Sequence, residues 1–142
     1  MTDIVVKGHK TFSAGFTGET KRVGLIYDFA QDGGAYNGKV YILGTISGKV
    51  LIEKVIVRVV TAATSDGSAT VIVGHTDNDD YWMDATGGAV ANLAIDKVGA
   101  NATTGIPVIL GDGKKITMTI GTADLKTGKI VVDVFYKDHN VG

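Results

Sequence analysis

Apolar and polar residues alternate along two stretches near the end of the chain, residues 115–120 and 130–137. A period of two places alternate side chains on opposite faces of a strand, so each stretch predicts a half-buried β-strand. Residues 126–129, with the sequence Lys-Thr-Gly-Lys, favour a turn between them. The pattern therefore predicts that these two strands form an antiparallel hairpin.

A second pair of strands is predicted in the middle of the chain. Residues 50–61 are dominated by β-branched side chains, which crowd a helix and fit a pleated sheet, so they predict a long central strand. Asp66 and Gly67 form a dipeptide that is typical of hairpin turns, and the apolar pattern resumes at residues 69–74. These features predict a second hairpin.

Three further strands and one short helix complete the pattern. Residues 23–29 and 40–46 favour strands of the same kind. Residues 106–110 form a short apolar run, and Pro107 confines this strand to a sheet edge or a strand start, because proline has no amide hydrogen for the ladder. The alanine-rich residues 89–98 are the one candidate helix, of one or two turns.

The regular spacing of strands and turns predicts one all-β domain, an antiparallel β-sandwich or jelly roll over residues 23–142. A chain of 142 residues is long enough to build one core. Twenty glycines against one proline also fit a sheet protein with many tight turns. Residues 1–22 carry a weak strand at Ile4–Val6 followed by scattered aromatic residues, so they predict an extended N-terminal arm that a partner would order.

Charge and composition exclude several classes of protein. The formal net charge of -1 offers no basic field for nucleic acid, and the absence of cysteine excludes disulfides, thiolate nucleophiles and cysteine zinc sites. The first eight residues lack the apolar core of a secretory signal, and no apolar stretch reaches the ~18 residues needed to cross a bilayer. We therefore expect a protein of a soluble compartment, or of an assembly built there, without contacts to nucleic acid or membrane.

The acidic stretch Asp77–Asp80 is the first candidate for a metal site, because hard cations such as Ca²⁺ bind closely spaced oxygen ligands. Counted from Asp77, it lacks the glycine and the glutamate that an EF-hand loop carries at its sixth and twelfth positions. Asp and Asn favour turns, so a solvated turn is the preferred interpretation and a bound cation the alternative. His9, His75 and His139 each stand alone, which predicts surface histidines.

Sequence patterns of catalysis are missing. No serine lies in a Gly-x-Ser-x-Gly elbow, the glycine-rich loops lack the phosphate-binding pattern, and the chain has two glutamates. Trp82 suits a position in the core and, as an alternative, a platform for a sugar ring. The sequence predicts a protein that is not an enzyme and has no cofactor.

Four segments of the chain carry a family likeness, residues 54–63, 67–74, 77–83 and 128–136. The first strand ends in a Thr-Ala step, the second contains Ala-Thr-x-x-x-Gly, an Asp-rich turn precedes an aromatic residue, and the last strand ends in tyrosine. This succession resembles small structural proteins of tailed bacteriophages. The resemblance covers roughly residues 50–142.

The resemblance implies a decoration, or cement, protein with a jelly-roll fold that binds the major capsid protein, commonly as a homotrimer. It also implies a place on the capsid surface of the virion after assembly in the host cytoplasm. Such a role needs a rigid scaffold and edge strands able to extend a neighbouring sheet. Phe12, Phe16 and Tyr36 are the candidate partner contacts, although Phe12 and Phe16 fit a position in the chain's own core equally well.

Two other functions fit the same pattern. A head-tail or tail component of a phage has the same sequence features, and its copy number in the virion would distinguish it from a cement protein. A carbohydrate-binding module is also a β-sandwich of this size, often with exposed aromatic residues and a structural Ca²⁺. Exposure of Trp82 decides whether that module has its platform.

Overall fold

The computed structural model describes residues 3–13, 19–35, 40–94 and 107–139. Strands account for most of this part of the chain. Its elements are, in chain order, β1 (Ile4–Phe12), β2 (Lys21–Asp28), α1 (Phe29–Asp32), β3 (Val40–Ile46), β4 (Val50–Thr64), β5 (Thr70–His75), β6 (Asn78–Met83), a 3-10 turn (Val90–Asn92), β7 (Val108–Leu110), β8 (Lys115–Gly121) and β9 (Thr127–Asp138).

The nine strands of the described residues form one mixed sheet in the order β6-β5-β8-β3-β1-β2-β9-β4-β7. The sheet curls, so that β6, β5, β8 and β3 form a first half and β2, β9, β4 and β7 form a second half. β1 belongs to both halves, because it pairs with β3 on one side and with β2 on the other. The predicted all-β sandwich is confirmed, but the β1–β3 pair is parallel, which corrects the expectation of a purely antiparallel fold.

The core lies between the two halves and forms a single hydrophobic cluster. Its contacts cross from one half to the other, since the ring of Tyr27 on β2 packs edge-on against that of Tyr41 on β3, with 5.6 Å between centroids. On β9 the members of this cluster recur at Ile130, Val132 and Val134. This period of two agrees with the alternation in the sequence and places the residues between them on the outward face.

The predicted N-terminal arm is wrong for the residues described. Residues 4–12 form β1 in the middle of the sheet, and β2 already begins at Lys21. The sequence hides this strand because its pairing with β3 shifts register between Val5 and Lys10, while Gly8 pairs with β2. A strand shared by two halves of a curled sheet loses the strict alternation on which the prediction depends.

Both predicted hairpins are also wrong, although their strands exist. β4 pairs with β9 and β7, and β5 pairs with β8 and β6, so the turn at Asp66–Gly67 carries the chain from one half of the sheet to the other. The connection from β8 to β9 crosses in the same way. The two crossings lie side by side, because Ser65 Oγ donates to the Asp124 carbonyl at 2.7 Å and the Lys126 amide donates to the Thr64 carbonyl at 2.7 Å.

One smaller prediction agrees with the structure, and another agrees in part. β7, which follows Pro107 directly, is the terminal strand of the sheet order, as expected for a strand that starts at proline. The candidate helix over residues 89–98 is reduced to one 3-10 turn at Val90–Asn92. Residues 95–98 of that prediction lie outside the described part of the chain.

Candidate interaction surfaces

The outward face of β2, β9 and β4 carries most of its charge on long basic side chains. We call this surface the basic face and define it by Arg22, Lys54, Arg58, Asp133 and Phe135. Register places them in successive rows, because Arg22 and Lys54 both pair with Phe135, Asp133 lies one row away, and Arg58 lies one row beyond Asp133. Inward neighbours on the same strands fill the core, so these side chains point to the opposite side.

Asp133 is the centre of the basic face. Arg22 Nη2 lies 2.5 Å from its Oδ1, and Arg58 Nε lies 2.7 Å from its Oδ2. The Asp133 side chain is 8% exposed, whereas the arginine side chains are 49% and 44% exposed. These are the only two arginines of the chain, and both bind one carboxylate. Charge-assisted hydrogen bonds of this kind are about twice as strong as neutral ones, so they fix both guanidinium groups.

Gly24 leaves the space in which this ion cluster forms. It is the register partner of Asp133 on β2. A side chain there would begin 3.3 Å from Arg22 Nη2 and 3.4 Å from Asp133 Oδ1. The missing side chain therefore lets the Arg22 guanidinium group reach across to β9.

Further charged contacts surround the cluster. Lys54 Nζ lies 4.6 Å from the centroid of the Phe135 ring, within the range of a cation–π interaction. Lys137 Nζ lies 3.7 Å from a carboxylate oxygen of Glu53, and the Thr20 hydroxyl donates to the same carboxylate at 2.5 Å. The basic face is therefore a surface of ordered side chains that combines cationic and aromatic groups.

Negative charge is concentrated at β6, the first strand of the sheet order. The turn between β5 and β6, with the first residues of β6, forms a surface that we call the acidic hairpin, defined by Asp77, Asp79 and Asp80. Residues 75–84 include four aspartates and neither Lys nor Arg. Asp79 and Asp80 are exposed, and Lys114 Nζ from the neighbouring loop lies 3.0 Å from Asp77. The turn predicted over Asp77–Asp80 is shorter than expected, because Asp77 lies in it whereas Asp79 and Asp80 belong to β6.

His75 lies buried behind the acidic hairpin, which corrects its prediction as a surface residue. It is 5% exposed, and its ring packs against those of Tyr81 and Trp82 with centroids 5.0 and 5.3 Å away. Nδ1 accepts from the Asp77 amide at 3.3 Å, while Nε2 is buried without a hydrogen-bond partner. Burial lowers the pKa of His75; Asp77 opposes this effect and Lys114 adds to it.

Trp82 occupies the core, as the preferred interpretation of the sequence expected. It is 3% exposed and belongs to the hydrophobic cluster. A sugar ring stacks only on an accessible aromatic face. The platform suggested as an alternative for Trp82 is therefore not available.

No group of three histidine, aspartate or glutamate side chains within the described ranges is placed to hold a metal ion. In the same ranges no helix has the length and apolar character required to cross a membrane.

The three residues predicted to contact a partner have different outcomes. Phe12 is 6% exposed and packs on Tyr136 with 4.9 Å between ring centroids, so it takes the core position that was weighed as its alternative. Phe16 and Tyr36 lie outside the described residues. The Arg22–Asp133–Arg58 cluster was not among the residues singled out from the sequence.

Known proteins share this fold. No protein-family model matches the chain, and no curated protein matches it either. Among solved structures, a chain of the cyanophage Pam1 capsid asymmetric unit superposes with a TM-score of 0.64 at 15% identity, over 87% of this chain and 88% of that one. The chain shares its fold with phage capsid chains.

Two further capsids contain similar chains. In the capsid of Ralstonia phage GP4 the TM-score is 0.61 at 12% identity, over 92% of this chain and 99% of that one. In the acidic stable capsid structure of Helicobacter pylori bacteriophage KHP30 it is 0.52 at 19% identity, over 83% and 92%. At these identities the likeness establishes a common fold.

Proposed function

We propose that this chain is a non-enzymatic structural protein of a phage capsid, of the decoration or cement type. The observation that carries the proposal is the extent of the structural likeness. These three chains come from phage capsids, and the match runs over 88–99% of their length as well as over most of this chain. A match of whole chain to whole chain supports a counterpart of these proteins better than a module shared with unrelated ones.

The proposal includes a partner and an assembly. The major capsid protein is the proposed partner, bound by a homotrimer on the capsid surface of the virion after assembly in the host cytoplasm. The ordered charged surfaces at both ends of the sheet support a role in contacts between proteins, because charge complementarity sets the orientation and specificity of docking.

Purified particles of the phage that encodes the chain test the proposal. Antibody labelling in the electron microscope should decorate the outside of the head. Quantitative mass spectrometry of the same particles should find the chain at a copy number comparable to that of the major capsid protein. Presence in infected cells together with absence from mature virions would contradict the proposal.

A head-tail or tail component is the second candidate, since such a protein is also a structural component of the virion and has the same sequence features. The same mass spectrometry separates the two, because a tail component is present at a small fraction of the major capsid protein. The carbohydrate-binding alternative has lost its support, since Trp82 is buried.

A further inference from the structure

Asp133 holds the two guanidinium groups of the basic face in place but accepts hydrogen bonds from only some of their N–H donors. A guanidinium group carries five N–H donors, and Asp133 accounts for one nitrogen each of Arg22 and Arg58. Two positive charges on one carboxylate leave a net positive charge at the cluster. About half of each arginine side chain is exposed, so both remain accessible to a partner.

The surroundings of the cluster resemble the centre of a protein interface. Phe135 with Lys54 lies in the next row, and Val60 on the same strand as Arg58 is 38% exposed. Arginine and aromatic residues are enriched where interfaces bind most strongly. Side chains that are already ordered also lose less entropy when a partner binds. The basic face is therefore suited to a carboxylate-bearing protein surface.

Such a surface is present on the chain itself. The acidic hairpin presents the exposed carboxylates of Asp79 and Asp80, and no Lys or Arg occurs within residues 75–84. β6 begins the strand order, whereas β9, at the centre of the basic face, lies in the second half of the sheet. Within one copy Arg22 and Arg58 pair with Asp133 and not with Asp79 or Asp80, so the two complementary surfaces are available to other copies.

We propose that the basic face binds the acidic hairpin of a second copy of this chain, with Asp79 and Asp80 against Arg22 and Arg58. Because the two surfaces differ, the contact is head-to-tail, and copies joined in this way close into a ring or extend as a chain. The inference deepens the homotrimer of the proposed function and rests on that function for its place in the capsid.

Two variants that each disable one surface give the sharpest test. Asp79→Asn/Asp80→Asn removes the acidic side, and Arg22→Gln/Arg58→Gln/Asp133→Asn removes the basic side without leaving a buried carboxylate unpaired. Analytical ultracentrifugation should find the wild-type chain in oligomers at low salt and each variant as a monomer. Mixed together, the two variants should form one heterodimer, because each retains the surface that the other lacks.

Salt and matched controls separate this contact from general effects of charge. Raising the ionic strength from about 0.01 M to 0.15 M shortens the Debye length from about 30 Å to about 8 Å, so self-association should weaken at least about tenfold. Asp3→Asn/Asp66→Asn and Lys10→Gln/Lys49→Gln change the same number of acidic or basic residues at exposed positions elsewhere, and both should associate like wild type. Circular dichroism establishes that every variant is folded.

A wild-type chain that stays monomeric at low salt would overturn the inference, and so would folded variants that associate as wild type does. If the chain is monomeric alone but binds particles through the basic face, the face serves an acidic shell surface instead. In that case the contact between copies is wrong while the proposed capsid function stands. If the chain is absent from virions but the two variants form the head-to-tail heterodimer, the proposed capsid function is wrong while the contact between copies stands.

Discussion

Two buried polar groups, Asp133 in the second half of the sheet and His75 in the first, are accommodated in opposite ways. Asp133 sits on an outward face, and two arginines from neighbouring strands provide its counter-charge. His75 packs between aromatic rings, with Nε2 unpartnered, and burial lowers its pKa, which favours the neutral form. The second half should therefore be sensitive to loss of cationic partners, whereas the first should be sensitive to acid.

The largest expected effect is the loss of both partners of Asp133. Arg22→Met or Arg58→Met alone should lower the free energy of unfolding by about 0.5–1 kcal/mol, because one guanidinium group remains. The double variant should lose about 2–3 kcal/mol, more than the sum, since the carboxylate then has no counter-charge. This stays below the cost for a fully buried pair, because both arginines are half exposed and water can reach the carboxylate once they are removed. Urea denaturation measures all three.

An Asp133→Asn background provides the control for that cycle. Without the carboxylate, the same two arginine substitutions should cost little and should add, because the charge that coupled them is gone. Additive costs in the wild-type background would show instead that each arginine contributes only through packing of its aliphatic stem.

Most strands of this fold were predictable, β1 and β6 being the exceptions, but the partners of the strands were not. The predicted strands at residues 50–61 and 130–137 lie within β4 and β9, because a period of two in β-branched residues defines a strand wherever it lies. A turn dipeptide such as Asp66–Gly67 reverses the chain in a hairpin and in a crossing between halves alike. The local sequence therefore cannot say which strand lies next to β4.

The basic face escaped prediction for a related reason. Arg22 and Arg58 lie 111 and 75 residues from Asp133 along the chain, and only the register of β2, β9 and β4 brings them together. One signal was present. Arg58 and Asp133 each interrupt a run of valines and isoleucines at an outward position, and the chain has no arginine besides Arg22 and Arg58. Charges that interrupt apolar strands on outward positions are candidates for pairing across a sheet.

Acid sensitivity is the second prediction and concerns His75. Its pKa in the folded state lies below the ordinary value of 6.5. Stability is therefore complete above about pH 6.5 and falls as the pH drops toward the folded pKa, because the unfolded chain then binds the proton more readily. One proton gives a slope of at most about 1.4 kcal/mol per pH unit. Urea denaturation from pH 7.5 to 4.5 measures that slope.

His75→Gln provides the comparison, because glutamine keeps a hydrogen-bond acceptor and does not titrate. The difference in the free energy of unfolding between wild type and this variant should change with pH below about 6.5 and stay constant above it. Carboxylates titrate in both proteins, so they cancel in the difference. A constant difference throughout would mean that His75 opens to water before it is protonated.

The smallest effect belongs to a third buried polar group, the hydroxyl of Thr117 on β8. Its Oγ1 is buried without a hydrogen-bond partner, and the residue is 6% exposed. Thr117→Val replaces the hydroxyl with a methyl group of similar size and keeps the β-branched shape that suits a strand. Because an unsatisfied buried hydroxyl costs free energy, the variant should gain about 0.5–1 kcal/mol in thermal or urea unfolding.

Thr45→Val is the matched substitution, because the Thr45 hydroxyl lies 2.9 Å from His9 Nε2 and so has a partner to lose. That variant should be destabilised by about 0.5–1.5 kcal/mol, opposite in sign to Thr117→Val. Together the two threonine variants would extend the contrast between Asp133 and His75 to neutral groups. The presence or absence of a hydrogen-bond partner would then decide whether removing the hydroxyl lowers or raises the free energy of unfolding. A loss at Thr117 equal to that at Thr45 would mean that water or a neighbouring group already satisfies the Thr117 hydroxyl.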